Sequence, residues 1–137
     1  MSPKIKLACI IDDDYIYVNL IKKIIDTKKL CENLMIFKNG KEGIEYFETL
    51  LQNFNEAEQI PDVILLDINM PVMNGWEFLE RFTKIKNKFE KQITLYVVSS
   101  SINITDIERA KSLSSVENYL VKPVNIAELE AIFDKVA

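Results

Sequence analysis

Five short apolar runs, separated by helical patterns, constrain the fold of this chain more than any other feature. Two of them, Ile5–Ile11 and Val63–Leu66, are almost continuously apolar, which is typical of strands that are buried on both faces of a sheet. The other three are Leu34–Phe37, Ile93–Val98 and Tyr119–Val121. Because strands that alternate with helices form parallel sheets covered on both sides, we predict an α/β fold with a doubly wound, five-stranded parallel sheet.

Five segments have the apolar spacing of amphipathic helices. In the first, residues near helical spacing are Ile16, Leu20, Ile24 and Ile25. In the second, Asn39 can cap a helix that carries Ile44, Phe47 and Leu51. The first segment is Tyr15–Lys29, and the third to fifth are Trp76–Lys86, Thr105–Leu113 and Asn125–Val136. The polar stretch Gln52–Gln59 is predicted to be a loop.

Composition argues against several classes of function and location. The 137 residues suit one domain over 1–137, and the 17 basic and 21 acidic side chains leave a net charge of −4, which disfavours direct binding to nucleic acid. No run is long and apolar enough for a membrane span, and no secretory signal opens the chain, so we predict a cytoplasmic protein. The absence of histidine excludes histidine-based triads and zinc sites. Cys9 and Cys31 are predicted to be reduced packing residues.

Polar residues stand at the predicted strand ends. The first strand is followed by Asp12, Asp13 and Asp14, the third by Asp67, the fourth by Ser99, Ser100 and Ser101, and the fifth by Lys122. Ligands of doubly wound folds bind at the carboxyl ends of the strands. We therefore expect these side chains to meet at one edge of the sheet.

Such a cluster needs a cation. Asp12, Asp13 and Asp67 contribute −3 and Lys122 contributes +1, and like charges about 4 Å apart repel by about 4 kcal/mol at an effective dielectric constant near 20. Oxygen ligands without histidine or cysteine favour Mg²⁺, with Mn²⁺ as an alternative. Pro71 predicts an irregular loop after Asp67, whose freed backbone carbonyls include that of Asn69, a further candidate ligand.

This constellation suits phosphoryl transfer, where catalysis consists mainly of positioning and charge neutralisation. Asp67 would be the nucleophile. The metal ion and Lys122 would each hold a phosphoryl oxygen, and a hydroxyl on the fourth strand would bind the third. The new negative charge would then draw the hydroxyl and the ammonium toward it.

Four segments together resemble response-regulator receiver domains of two-component signalling, the CheY-like superfamily, over nearly the whole chain. They are Cys9-Ile-Ile-Asp-Asp-Asp14, Leu65-Leu-Asp-Ile-Asn-Met-Pro-Val-Met-Asn-Gly75, Val97-Val-Ser99 and Tyr119-Leu-Val-Lys-Pro123. The resemblance implies a flavodoxin-like fold with strand order 2-1-3-4-5. It also implies that a sensor histidine kinase or a phosphotransfer protein donates the phosphoryl group, and that an unidentified output protein reads the result.

The resemblance assigns a role to each matching residue. Asp67 would be phosphorylated, Asp13 would bind the metal directly, and Asp12 would bind it partly through water. The remaining implied roles are a metal-binding carbonyl at Asn69, a switch hydroxyl at Ser99, a switch aromatic at Tyr119, a phosphoryl contact at Lys122 and a cis peptide between Lys122 and Pro123. The output surface would combine the fourth helix, fifth strand and fifth helix. The protein would catalyse only its own phosphorylation and dephosphorylation.

Other interpretations remain open at this point. Asp12, Asp13 or Asp14 can cap the first helix, and Tyr119 can serve the core alone. Trp76 is expected to pack partly on the third helix, close to the site but without a chemical role. A phosphatase of the haloacid-dehalogenase type would need an acid two residues after its nucleophile, where this chain has Asn69. A phosphorylation-independent interaction module of the same fold would not need the complete charged set.

Overall fold

A parallel sheet forms the centre of the computed structural model, which describes residues 5–53 and 59–137. In chain order the strands of the described residues are β1 (Ile5–Ile11), β2 (Cys31–Phe37), β3 (Val63–Leu66), β4 (Thr94–Ser99) and β5 (Asn118–Val121). They lie in the order β2-β1-β3-β4-β5, and every neighbouring pair is parallel. This arrangement confirms the doubly wound fold and the strand order 2-1-3-4-5.

Helices cover the sheet, and each follows a strand along the chain. They are α1 (Tyr15–Lys28), α2 (Gly40–Gln52), α3 (Gly75–Ile85), α4 (Ile104–Lys111) and α5 (Ile126–Val136), with a short 3-10 turn at Lys86–Lys88. A side-chain oxygen caps the first turn of every one, from Asp14, Asn39, Asn74, Asn103 and Asn125. These caps satisfy backbone N–H groups that have no partner within the helix.

Two apolar cores, one on each face of the sheet, explain the continuous apolar strands. Along β1, Cys9 and Ile11 belong to the core that contains the aromatic side chains of α2 and α3, whereas Ala8 and Ile10 belong to the core beneath α1 and α5. Alternate residues of a strand face opposite sides. A strand that is buried on both sides therefore cannot show the alternation of a half-exposed one.

The rotation of α1 about its axis is the main departure from expectation. The buried side chains are Val18, Ile21 and Ile25, while Ile16 and Leu20 are 82% and 52% exposed. The helix itself is confirmed, but two of its four expected apolar positions face solvent. The spacing fits two overlapping stripes, and packing against the sheet selects the one that contains Val18.

Element boundaries differ by a few residues. Strand β2 begins at Cys31 rather than Leu34, because pairing with β1 extends back to Ile5 although that stretch is polar and lies at the sheet edge. Near the end of α2, Leu50 is buried, whereas the expected core residue Leu51 is only partly buried. Of the predicted loop Gln52–Gln59, the first residue ends α2, and residues 54–58 lie outside the described residues.

Both cysteines are free. Cys9 is fully buried, and burial raises the pKa of its thiol well above the usual range, so it acts as a small apolar core residue. Cys31 is half-buried. Within residues 5–53 and 59–137, none of the helices combines the length and the hydropathy that crossing a bilayer would require.

Candidate functional site

Backbone pairing carries three of the predicted site residues to one edge. The N–H of Asp67 donates to the carbonyl of Ile11 over 2.9 Å, and the N–H of Lys122 donates to the carbonyl of Ser99 over the same distance. Each bond continues a strand ladder by one residue beyond the last paired position. The apolar strand bodies thus end in register, and the polar residues that follow them lie side by side.

The charged side chains form a compact, mostly buried cluster. The Nζ atom of Lys122 lies 2.8 Å from Oδ2 of Asp12 and 3.6 Å from Oδ2 of Asp67. Only 11% of the lysine side chain is exposed, and the two carboxylates are buried. Lys122 therefore bridges two carboxylates that would otherwise repel each other in a poorly hydrated site.

Asp13 completes a group of carboxylates suited to a metal ion. Oxygen atoms of Asp12, Asp13 and Asp67 all lie within 4.8 Å of one another. Asp13 is exposed, whereas the other two are buried, so the group opens to solvent on one side. The residues fit a hard divalent cation, since all donors are oxygens and the local charge with Lys122 is −2. Such an ion would neutralise the excess.

Burial, together with neighbouring negative charge, raises the pKa values of the two buried carboxylates. Burial raises the pKa of Asp67 to about 6, and the neighbouring charge of Asp12 adds to the effect, while Lys122 opposes it. Burial also raises the pKa of Asp12, against the stabilising hydrogen bond from Lys122. One ammonium is thus insufficient to offset the loss of water around two carboxylates.

The loop that follows Asp67 is held close to the site. The N–H of Asn69 donates to Oδ1 of Asp67 over 3.2 Å, and a side chain at Gly75 would come within 2.5 Å of the Asp67 carbonyl oxygen. Glycine at that position lets α3 begin directly against the strand end. Val72 has a left-handed φ of 69° and is 74% exposed, which is an unfavourable backbone conformation for a β-branched residue.

The predicted hydroxyl and aromatic residues belong to a hydrogen-bond network beside this pocket. The fully buried Ser99 accepts the N–H of Ser101 at Oγ, over 3.1 Å. Tyr119 donates its phenol proton to the Ser101 carbonyl over 2.7 Å, and the Ser101 hydroxyl donates to Asp106 in the first turn of α4 over 2.7 Å. Ser101 therefore links β4, β5 and α4.

The acidic run both caps α1 and contributes to the charged cluster. Asp14 caps α1 by accepting the N–H of Tyr17, while Oδ1 of Asp12 accepts the N–H of Asp14, so capping and cluster formation share the acidic run. The Lys122–Pro123 peptide is cis. Two contributors were missed. The ring of Tyr17 lies beneath Lys122, a contact that its place in the first helical turn could have suggested, and Ser101 carries no signal that separates it from the adjacent serines.

Trp76 packs partly on the aromatic core, as expected. The guanidinium of Arg109, from α4, lies 4.3 Å from the centroid of the indole ring. This contact joins the first turn of α3 to the last turn of α4.

The sequence is similar to known proteins over most of its length. The family model described as "Response regulator receiver domain" matches residues 8–134. The chain is 36% identical over 122 residues to the sensor histidine kinase CheAY of Helicobacter pylori, covering 89% of this chain but only 14% of that protein. It is thus similar to a small part of that relative.

Solved structures are also similar over nearly the full length. A two-component response regulator from Cytophaga hutchinsonii superposes with a TM-score of 0.80 at 30% identity, with 97% of each chain covered. The phosphorylated cyanobacterial phytochrome response regulator RcpA superposes with a TM-score of 0.71 at 26% identity, covering 96% of this chain and 90% of that one.

Proposed function

The chain belongs to the response regulator receiver domain family of two-component systems, and from this premise we propose that Asp67 accepts a phosphoryl group with the help of Mg²⁺. The observation that carries the proposal is the cluster of three carboxylates and Lys122 at one end of the sheet. Phosphoryl acceptance is general in this family, and one of the similar structures is of a phosphorylated regulator.

The position of Asp67 favours it as the nucleophile. Its Oδ1 accepts a single backbone hydrogen bond, and its Oδ2 lies 3.6 Å from Lys122, farther than Asp12 does. The carboxylate of Asp12 is more fully engaged, since one oxygen accepts the Asp14 N–H and the other pairs with Lys122. Asp67 is thus the buried carboxylate that is less constrained to remain an ion-pair partner.

Asp12, Asp13 and Asp67 would hold the metal ion, together with the backbone carbonyl of Asn69. Receiver domains bind divalent metal, and an all-oxygen set fits Mg²⁺, with Mn²⁺ as the alternative. When bound, the ion supplies positive charge to the phosphoryl oxygens. Lys122 would neutralise a second oxygen and the Ser99 hydroxyl would bind the third, which matches the spread of charge in phosphoryl transfer.

Phosphorylation would act on the network around Ser101. If the Ser99 hydroxyl turns toward a phosphoryl oxygen, its contact with the Ser101 N–H is strained or lost. Ser101 also holds Tyr119 and Asp106, so the change would reach the surface of α4, β5 and α5. We propose that surface as the output face and Ser99 and Tyr119 as the switch residues.

Receiver domains interact with sensor histidine kinases, and we propose such a kinase, or a phosphotransfer protein, as the donor in the cytoplasm. The domain would span 1–137, and it would catalyse no reaction besides its own phosphorylation and dephosphorylation. A phosphatase of the haloacid-dehalogenase type is disfavoured, since the residue two beyond Asp67 is an amide that cannot relay a proton as an acid would.

The test is incubation with Mg²⁺ and acetyl phosphate, followed by intact mass measurement. We expect one added phosphoryl group, lost in Asp67→Asn and on chelation of the metal. Asp62→Asn is the matched control, because it removes a lysine-paired carboxylate from the opposite end of the sheet and should leave the modification intact. Modification of Asp67→Asn to the wild-type extent would overturn the assignment.

A further inference from the structure

The lysine of the charged cluster lies against an aromatic face as well as between carboxylates. Its Nζ atom lies 4.4 Å from the ring centroid of Tyr17, within the range of cation–π attraction. The same atom lies 2.8 Å from Asp12 and 3.6 Å from Asp67. Two anionic groups and one ring therefore surround an ammonium that is almost completely withdrawn from solvent.

The acidic run fixes the backbone position of Tyr17. Asp12 accepts the N–H of Asp14, and Asp14 in turn accepts the N–H of Tyr17 over 3.1 Å. These two bonds set the start of α1 and hold Tyr17 in its first turn. The segment that supplies the carboxylate partner of Lys122 thus also supplies its aromatic partner, on a backbone that is held at both points.

We propose that Tyr17 is a positioning residue that keeps the ammonium of Lys122 at Asp67 during phosphoryl transfer. The inference rests on the proposed function, and it deepens it by adding a residue whose ring contacts Lys122. A lysine has a flexible four-carbon stem, so its place in the pocket depends on what lines it.

A ring face suits this task better than a third carboxylate would. Cation–π attraction extends to about 6 Å from the ring centroid, and the Nζ atom lies 4.4 Å from it, so Lys122 can shift from Asp12 toward a phosphoryl group on Asp67 while it stays within range of the ring. Burial and the charges of Asp12 and Asp67 raise the pKa of the Tyr17 phenol above its usual range, so the ring remains neutral. The attraction comes from the ring and does not require the hydroxyl.

The alternative is that Tyr17 only fills space, and two substitutions separate these roles. Tyr17→Phe keeps the aromatic face, whereas Tyr17→Leu keeps an apolar side chain without one. Tyr15→Leu is the matched control, because Tyr15 lies two residues earlier in α1 and is 79% exposed. Thermal unfolding establishes that each variant is folded, and Tyr17→Met replaces the leucine variant if that one unfolds.

The first measurement is the rate of phosphorylation by acetyl phosphate with Mg²⁺. We expect Tyr17→Leu to be about 5- to 10-fold slower than the wild type, in line with a partly desolvated cation–π contact. Tyr17→Phe and Tyr15→Leu should stay within about twofold. A folded Tyr17→Leu or Tyr17→Met variant at the wild-type rate, or a Tyr17→Phe variant as slow as Tyr17→Leu, would overturn the proposal.

The second measurement does not depend on phosphorylation. In NMR spectra the ε-methylene signals of Lys122 should be displaced by the ring current in the wild type and in Tyr17→Phe, and should return toward ordinary lysine values in Tyr17→Leu. Identical signals in all of these proteins would refute the contact itself. Failure of the wild type to be phosphorylated, with the ring-current shift present, would instead count against the function proposed for Asp67.

Discussion

Two aspartate–lysine pairs of nearly equal length lie at opposite ends of the same sheet. At the carboxyl end, Asp12 and Lys122 are 2.8 Å apart, and at the amino end, Asp62 and Lys91 are 2.9 Å apart. Asp62 directly precedes β3, and its carboxylate also accepts the N–H groups of Lys6 and Leu7 at the start of β1. Length alone would make the two pairs equivalent.

Their surroundings differ in charge balance. At the amino end, among the described residues, the Asp62 carboxylate pairs with Lys91 and also accepts two backbone N–H groups. Lys91 donates in addition to the carbonyl of Ile60. At the carboxyl end three carboxylates lie together, and the ammonium of Lys122 pairs with two of them. An ion pair has a structural role where its charges are neutralised and its hydrogen bonds are made. A site with unneutralised negative charge favours the binding of a cation.

The largest expected effect separates the two lysines. Lys122→Met should slow phosphorylation by acetyl phosphate about 100-fold, since it removes a fixed positive charge from the developing phosphoryl oxygens. Lys91→Met should change that rate by less than about twofold, because its charge lies at the far end of the sheet. Intact mass at timed intervals measures both rates. Equal losses in the two variants would erase the proposed difference between the ends.

The next effect is on stability, with opposite signs. In metal-free buffer at pH 7, Asp67→Asn should raise the free energy of unfolding by about 1–2 kcal/mol, because it removes a buried charge in excess. Asp62→Asn should lower it by about 1–2 kcal/mol, since it weakens an ion pair and charge-assisted hydrogen bonds. Urea denaturation provides both values. Destabilisation by Asp67→Asn would contradict the idea of surplus charge.

Mg²⁺ should act on one end only. At a concentration ten times the dissociation constant, the ion should stabilise the wild type and Asp62→Asn by about 1.4 kcal/mol. Asp13→Asn should lose most of this gain, because it removes the exposed carboxylate of the cluster. Thermal unfolding with and without a chelator measures the difference. Equal stabilisation of Asp13→Asn would place the ion elsewhere.

The smallest effect is a dependence on pH. The pKa of Asp67 is raised from 3.8 to about 6, so between these values the metal-free folded state binds more protons than the unfolded state, and stability falls as the pH rises through the window. The Asp67 contribution between pH 5 and pH 7 should be about 1 kcal/mol. It appears as the difference between wild type and Asp67→Asn in urea titrations at several pH values. A difference that does not change with pH would argue against the raised pKa.

The amino-end pair also shows which features were predictable from sequence. The apolar runs predicted the strands because burial on both faces demands them, and parallel topology then implied the meeting of residues 12, 13, 67 and 122. Nothing local marks Asp62 and Lys91 as partners. Their contact depends on how the loops before β3 and β4 meet, and no periodic pattern reports that.

The same limit explains the details around the site. The rotation of α1, which buries Val18 and leaves Ile16 exposed, is decided by packing on the sheet. That rotation also presents Tyr17 to Lys122. The roles of Ser99 and Tyr119 remain predictions. Both residues bond to Ser101, and no pattern in the sequence indicated that link.

The stacking of Arg109 on Trp76 has a practical consequence. Trp76 is the sole tryptophan, and the cation above its ring is carried by a different helix. Its fluorescence should therefore report changes in the spacing between α3 and α4. An optical signal of the switching step would be present in the unlabelled protein.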